Sequence, residues 1–484
     1  MAENLKSKAI HGVFWSCIEQ FSGRIIQFVI SIIIARMLTP ADYGIIGLLG
    51  FFMAICGVFI DSGFSSALIQ RKTRSQEDLN TVFYLNFGIA TICYLLMAIF
   101  APFIADFFHQ PLLVKVIYAY CLTLVIGAVS GINNTLITIE VDYKLRSKIS
   151  VTSAITSGVI GICCAYYGLS VWALVIQALS SRLLNTALSF YYVRWFPKLI
   201  FSKTSFKNLF SYGSKLLLAN IIASAYTNIY PLIIGRQFSA SILGFYSRAT
   251  SFTNLASNNI IDVVSRVSFP ILCKVQDDDE VLIRVYSKYI HLSSFIIFPV
   301  FFLLCGIAKP LVLMLLSDKW APCIGMLQIV CFVNVWYGLN DINCNIFKVK
   351  GRTDLSLKME IYKKIIAVTI LIISIMFDDI YAICWGYVIH SLIDMIINTT
   401  NTKRFLGLGF TKQLMLFWPY LVLSAVVLLI SLSFSHWIDN VYLSLTLSLI
   451  VCPCVYLFLS LKFKTTAALE CLKIVKPYLR KLKP

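Results

Sequence analysis

The sequence predicts an all-α integral membrane protein with about fourteen transmembrane helices, arranged as two pseudo-symmetric six-helix lobes plus two C-terminal helices. The first observation is composition, because 59% of the 484 residues are hydrophobic and only 13% are charged, with a mean hydropathy of +0.82. Soluble domains are about 45–50% apolar and about 25% charged. The second is a series of apolar runs, each long enough to cross the ~30 Å hydrocarbon core as a helix. The third is an internal repeat.

The apolar runs follow one another from end to end of the chain with short loops between them. The first run contains Glu19 and Arg24 and no small-residue cleavage site follows it, so we expect a retained helix rather than a signal peptide. The predicted spans are 10–35, 43–69, 81–105, 112–139, 149–167, 169–193, 208–235, 242–271, 287–308, 322–346, 357–377, 380–401, 413–434 and 441–461.

These spans group into four predicted regions. Helices 1–6 form an N-terminal lobe over residues 1–200, and helices 7–12 form a C-terminal lobe over 201–405. Helices 13 and 14 occupy 406–462, and residues 463–484 form a basic cytoplasmic tail.

The internal repeat has an offset of 200 residues. The segment IARMLTPADYG (34–44) matches IGRQFSASILG (234–244), so that Arg36 corresponds to Arg236 and Gly44 to Gly244. Helices 1 and 7 lie six spans apart and therefore run in the same direction. Parallel repeats of this kind are a transporter design, with the substrate site between the halves.

The distribution of Lys and Arg predicts the orientation. If both termini are cytoplasmic, most of the 41 basic residues fall in cytoplasmic segments, as the positive-inside rule requires. The outside loops then hold only Arg36, Lys115, Arg236, Lys309 and Lys319. The same bias explains the net charge of +18, so we expect no nucleic-acid partner but a bacterial inner-membrane location among anionic lipids.

Polar side chains recur within the spans at helical spacing. A charge in mid-membrane is costly and normally faces a cavity or a partner, so these residues predict a water-filled cationic vestibule. The candidate substrate-binding cations are Arg24, Lys215, Arg248, Arg182 and Arg266. The candidate polar lining consists of Gln20, Gln27, Asn220, Ser224, Asn258, Asp262, Asp341 and Asn345. On helix 12, His390, Asp394 and Asn398 recur at every fourth position.

Structural roles compete with this interpretation. Asp262 and Arg266 stand at i and i+4 and could neutralise each other, whereas Lys215 could extend to the cytoplasmic surface. Arg182 could pair with a neighbouring helix. No acid lies three or four positions from Arg24, which makes it the foremost candidate for contact with an anionic cargo.

The sequence contains no motif that assembles an enzyme active site. We find no GxxxxGK[ST], no HExxH and no GxSxG, so neither direct ATP use, a metal site nor nucleophilic catalysis is expected. The fifteen cysteines lie mostly in apolar runs, where cysteine acts as a small hydrophobic residue.

Three stretches resemble a known family: ARMLTPADYG (35–44), LGFYSRA (243–249) and KGRTDLSLKMEIYKK (350–364), with RVSFPIL (266–272) as a weaker fourth. They are similar to Wzx-type flippases, the polysaccharide exporters of the multidrug/oligosaccharidyl-lipid/polysaccharide superfamily. Of a lipid II flippase's arginine cluster, only Arg24 falls in a comparable helix position.

The resemblance implies two lobes that open alternately and a polyprenyl-diphosphate-linked oligosaccharide as cargo, destined for O-antigen, capsule or exopolysaccharide. It implies Na⁺ or H⁺ as a coupling ion, no other cofactor, and a polysaccharide polymerase and glycosyltransferases as functional partners. Two alternatives remain from the sequence: a multidrug antiporter of the same superfamily, and a polytopic glycan polymerase or ligase.

Overall fold

Several helices of this chain begin at a side chain that caps them. In the computed structural model, which describes residues 23–61, 63–70 and 74–481, Ser75 and Asp78 form a reciprocal capping box. Asp142, Ser202, Asp278, Asp379 and Asn440 each accept a hydrogen bond from a backbone N–H of the first turn. Such caps satisfy N–H groups that have no partner within the helix.

The described chain is helical, with no β-strand in these ranges. Residues 23–37 form α1. The helices that follow are α2 (Pro40–Asp61), α3 (Phe64–Gln70), α4 (Gln76–Phe107), α5 (Leu112–Tyr120), α6 (Leu122–Ile139), α7 (Tyr143–Tyr166), α8 (Val171–Val193), α9 (Lys203–Thr227), α10 (Ile229–Gln237), α11 (Ala240–Lys274), α12 (Asp279–Gly306), α13 (Ala308–Leu316), α14 (Cys323–Val349), α15 (Thr353–Ile375), α16 (Ile380–Leu406), α17 (Phe410–Trp437), α18 (Val441–Lys462) and α19 (Thr466–Lys481).

Ten segments of the described chain are long and apolar enough to cross a bilayer. They are Pro40–Asp61, Gln76–Phe107, Leu112–Ile139, Tyr143–Tyr166, Val171–Val193, Asp279–Gly306, Cys323–Val349, Ile380–Leu406, Phe410–Trp437 and Val441–Lys462. The first of the other four expected spans is 10–35, of which the structure describes residues 23–35 in α1. The remaining three fall on α9 to α11 and α15, which are helical but more polar. The all-α membrane fold is thus confirmed, and the number fourteen stays a prediction.

The exterior of these helices is apolar. Phe103 and Ile450, for example, are 70% and 65% exposed, and many other large hydrophobic side chains are exposed with them. Apolar side chains exposed in this number would be unfavourable in water, whereas in hydrocarbon they carry no such cost. The helices also satisfy their own backbone hydrogen bonds, as the hydrocarbon requires.

The chain separates into two compact units, Met1–Ser247 and Arg248–Pro484. In the first unit, α7 packs on α8 and α4 packs on α6. In the second, α12 packs on α17, and α14 on α16. The regions expected at 1–200, 201–405, 406–462 and 463–484 stay predictions, because this division follows packing and not the repeat.

The motif TPADYG forms a corner at the start of α2, around the buried Asp42. The Thr39 hydroxyl and backbone N–H donate hydrogen bonds of 2.7 and 2.9 Å to Asp42 Oδ2. The Ser170 hydroxyl, just before α8, donates to Asp42 Oδ1. Since Asp42 is buried, these bonds satisfy its carboxylate and join α2 to α8.

The two copies of the repeat pack against each other within the first unit. A Cβ atom on Gly44 would lie 1.7 Å from the backbone oxygen of Ala240, and one on Gly244 would lie 1.9 Å from that of Pro40. The two contacts are related by the same offset of 200 residues. Glycine is therefore required at both positions, because no side chain fits between the backbones. We call this pair of contacts the glycine seam.

Candidate functional site: a polar cavity in the first unit

A cavity of about 980 Å³ lies among the helices of the first unit. Its walls come from α1, α2 and α4 to α8, with one residue of α3. The polar residues that line it are Gln27, Tyr43, Asp61, Ser65, Asn86, Tyr120, Thr123, Ser150, Ser153, Ser157, Gln177, Ser181, Arg182 and Asn185. Hydroxyl and amide groups predominate, with one acid and one guanidinium.

Small residues on α6 and α7 create this space. Gly127 and Gly131 line the cavity on α6, where an added Cβ would come within 3.9 Å of Arg182 Nη1 and of Asn86 Nδ2, respectively. On α7, serines at 150, 153 and 157 follow helical spacing. The bundle therefore holds long polar side chains on α4 and α8 opposite short ones on α6 and α7.

Arg182 is the basic residue of the cavity lining. Its side chain is exposed, and within the ranges that the structure describes it makes no hydrogen bond or ion pair. An uncompensated charge within an apolar bundle is expensive, and the exposure of this guanidinium in the cavity leaves it open to water or to an anionic ligand. Because its planar fork suits bidentate contacts, carboxylates and phosphates are the fitting ligands.

Two further polar atoms in the lining are buried without partners among the described residues. They are Asn86 Oδ1 and Ser153 Oγ. Buried polar groups normally have a hydrogen-bond partner, and each exception calls for a water or a ligand. Asn86 and Ser153 both line the same cavity, so they are candidates for hydrogen bonds to a water molecule or to a hydroxyl-rich ligand.

A network behind the cavity wall fixes α6 relative to α8. Asn134 Nδ2 donates to Asn185 Oδ1 at 3.5 Å, and the Ser189 hydroxyl donates to Asn134 Oδ1 at 3.4 Å. The Thr186 hydroxyl donates to the Ile126 carbonyl at 3.1 Å. These bonds hold the turn of α8 that carries Arg182 and Asn185.

The structure brings two of the sequence candidates, Gln27 and Arg182, to this cavity. Arg24, one turn before Gln27, is partly buried and already engages another group. A contact between Arg24 and an anionic cargo stays a prediction. Gln20 lies outside the described residues.

The remaining candidates lie elsewhere. Arg248 is 5% exposed, and its Cζ lies 5.9 Å from the centre of the Trp320 ring. Asn345 Nδ2 lies 3.5 Å from Asp341 Oδ2 on α14. On α9, Asn220 is exposed and Ser224 is partly buried. The side chains of Lys215, Asn258, Asp262 and Arg266 lie outside the described part of the chain.

Sequence reasoning missed Asn86, Asn185 and the serines of α7 as site residues. A signal was present, because Gln177, Ser181 and Asn185 stand four residues apart on α8. What the spacing could not supply is which helices face one another.

Apolar helices around a polar cavity define this molecule as a multi-pass membrane protein of the transporter class. The chain belongs to the polysaccharide biosynthesis protein family, whose model matches residues 33–325.

Individual proteins show the same relationship. The chain is 22% identical to the teichuronic acid biosynthesis protein TuaB of Bacillus subtilis (strain 168), over 95% of this chain and 96% of that protein. It is 24% identical to the lipopolysaccharide biosynthesis protein WzxC of Escherichia coli (strain K12), over 88% of each. Its fold matches a solved lipid II flippase MurJ in an inward closed conformation, with a TM-score of 0.75, 15% identity, and 93% and 99% of the two chains covered.

Proposed function

We propose that this protein is a flippase that carries a polyprenyl-diphosphate-linked oligosaccharide from the cytoplasmic to the outer leaflet of the bacterial inner membrane by alternating access. The cargo is the repeat unit of an O-antigen, a capsule or an exopolysaccharide. Membership of the polysaccharide biosynthesis family and a fold shared with a lipid II flippase support this proposal. The protein then acts by transport rather than catalysis, between the glycosyltransferases that build the repeat unit and the polymerase that consumes it.

The observation that carries the proposal is Arg182 in a cavity lined by hydroxyl and amide groups. The head of such a cargo combines many hydroxyl groups with the negative charge of a diphosphate or of an acidic sugar. Amides and serines match the hydroxyl groups, and a guanidinium matches the anion. The volume of about 980 Å³ lies at the upper end of ordinary ligand pockets, about 300–1,000 Å³.

The test is complementation of a flippase-deficient strain by Arg182 variants. Arg182→Gln removes the charge and should abolish export, whereas Arg182→Lys keeps the charge without the fork and should retain partial export. Arg194→Gln is the matched control, because Arg194 is exposed at the end of the same helix. Membrane protein levels are measured in parallel. Normal export by Arg182→Gln would contradict the role of this cavity.

Both termini are cytoplasmic in this proposal, and Lys and Arg keep the basic loops on the side where they are synthesised. The driving force is a gradient of Na⁺ or H⁺, since the sequence has no nucleotide-binding loop.

A further inference from the structure

A second group of ionisable side chains lies inside the other unit. Glu360, Lys363 and Lys364 are on α15, and His390 and Asp394 are on the facing helix α16. The candidate site described above does not include them. Ionisable residues within a transmembrane bundle are functional candidates by default, because the membrane makes them expensive.

The group is closely packed. His390 Nε2 lies 3.3 Å from Asp394 Oδ1, with 4% and 18% of the two side chains exposed. The contact lacks hydrogen-bond alignment, and Asp394 Oδ1 is buried without a hydrogen-bond partner among the described residues. Asp394 Oδ1 can therefore accept a proton, either bound to it directly or shared with the His390 imidazole.

The two lysines share one acid on their own helix. Lys363, whose side chain is 5% exposed, pairs with Glu360, and Lys364 Nζ lies 3.7 Å from the same carboxylate. The Tyr387 ring stacks on His390 with ring centroids 6.4 Å apart. A buried ammonium thus already faces the acids of this group.

The other helices packed on α16 complete the charge balance. On α14, Asp341 and Lys348 lie at 3.5 and 3.2 Å from the amide group of Asn345. Cys344 precedes Asn345 and is close enough to feel the charges of Asp341, Lys348, Glu360 and Lys363. On α17, Lys412 and His436 lie in the first and last turns. Counting Asp341, Glu360 and Asp394 against Lys348, Lys363 and Lys364, the group is neutral when His390 is neutral.

We propose that the His390–Asp394 pair is a proton-binding site that couples the proton gradient to the proposed transport. In each cycle the pair takes up one proton from the outer side and releases it to the cytoplasm, so that only O–H or N–H bonds form and break. The inference rests on the proposed function for its coupling role, but not for the existence of the site.

The same geometry disfavours Na⁺ as the ion bound here. Hard cations require several oxygen ligands, whereas Asp394 faces an imidazole nitrogen and the group contains lysine ammonium ions. No cluster of three or more metal-binding side chains occurs in the described ranges. A sodium ion would need further oxygen ligands around it, whereas a proton needs only the open acceptor, Asp394 Oδ1.

Infrared difference spectra test the site without any transport. The purified full-length protein in lipid nanodiscs is compared between acidic and alkaline pH in D₂O, and the carbonyl band of protonated carboxyl groups is followed. Asp394→Asn should remove part of this band, whereas Asp277→Asn, in an exposed loop, should leave that part intact. The proposal would be overturned if Asp394→Asn left the carbonyl band unchanged. It would also be overturned if NaCl, but not KCl, removed the Asp394 part of the band at fixed pH.

A second variant covers the case in which Asp394→Asn is not recovered. His390→Gln removes the imidazole and should shift the pH midpoint of the Asp394 band, and an unchanged midpoint would argue against the pair. In cells, Asp394→Asn at a normal membrane level should abolish export, and unimpaired export would refute the coupling. If the infrared results hold but the wild-type protein moves no lipid-linked glycan, the proposed function fails and the proton site stands.

Discussion

At the residue scale, one asparagine joins four helices of the second unit. Asn343 Oδ1 accepts hydrogen bonds from the Tyr286 hydroxyl at 2.7 Å, the Thr402 hydroxyl at 2.9 Å and Gln413 Nε2 at 3.0 Å. Its own amide donates to Gln413 Oε1 at 3.1 Å. The side chain is fully buried. Buried networks that are fully satisfied make a packing arrangement specific.

Asn343→Leu should destabilise the second unit. The Tyr286 hydroxyl would lose its acceptor, and an unsatisfied buried group costs about 1–3 kcal/mol. Thr402 and Gln413 keep second acceptors, the carbonyls of Asn398 and Leu408. We expect a lower midpoint of thermal unfolding in detergent, measured by intrinsic fluorescence.

Asn401→Leu is the matched control, because within the described part of the chain the Asn401 amide donates only to the Ile397 carbonyl of its own helix. Tyr286→Phe removes only the hydrogen bond from the Tyr286 hydroxyl to Asn343 Oδ1. It should therefore lower the unfolding midpoint less than Asn343→Leu does. Equal midpoints for Asn343→Leu and Asn401→Leu would show that the network does not stabilise the fold.

Single residues were predictable as far as helical periodicity reaches. The polar stripe of helix 1 pointed to Gln27, and charge within an apolar span pointed to Arg182, and both line the cavity. The burial of Arg248 against Trp320 was not predictable, because these residues are 72 positions apart and only tertiary packing joins them. The same limit applies to Lys363 and Asp394.

At the scale of elements, the glycine seam leaves no room for a methyl group between the start of α2 and the start of α11. Gly44→Ala would put its Cβ on the Ala240 carbonyl oxygen, so the backbones must separate. Overpacking commonly costs about 1–3 kcal/mol, and a backbone neighbour relaxes less readily than a side chain. We expect a lower unfolding midpoint and weaker export.

Gly50→Ala on the same helix is the control, since an added Cβ there meets no atom within 4 Å. It should behave like the wild type or be slightly more stable, because alanine favours helix more than glycine does. Wild-type stability for Gly44→Ala would mean that the seam is not closely packed in the membrane.

The sequence predicted the presence of the helices better than the residues at which they begin and end. The expected spans 81–105 and 287–308 correspond to α4 and α12, which begin earlier at Gln76 and Asp279. The reason is that hydropathy marks where a helix is apolar, whereas Ser75 and Asp278 determine where it begins. The span 208–235 is divided at Asn228 between α9 and α10, a break that apolar pattern does not reveal.

At the scale of the whole molecule, the distribution of basic residues predicts which loops face each compartment. Residues 200–204 and 277–280 should be cytoplasmic, and 238–241 and 437–440 external. Single cysteines introduced there, in a background without the native cysteines, should react with a membrane-impermeant maleimide only from the corresponding side. External labelling at position 278 would refute the fourteen-span topology.

The glycine seam has the symmetry of a contact between two identical molecules. Gly44 contacts Ala240, and Gly244 contacts Pro40. Ala240 is the residue equivalent to Pro40 at the offset of 200, so the two contacts join equivalent pairs of positions. That reciprocity is the property of an interface between two identical subunits related by a two-fold axis. The joint within this protein thus has the reciprocal contacts of a homodimer interface, formed within one polypeptide.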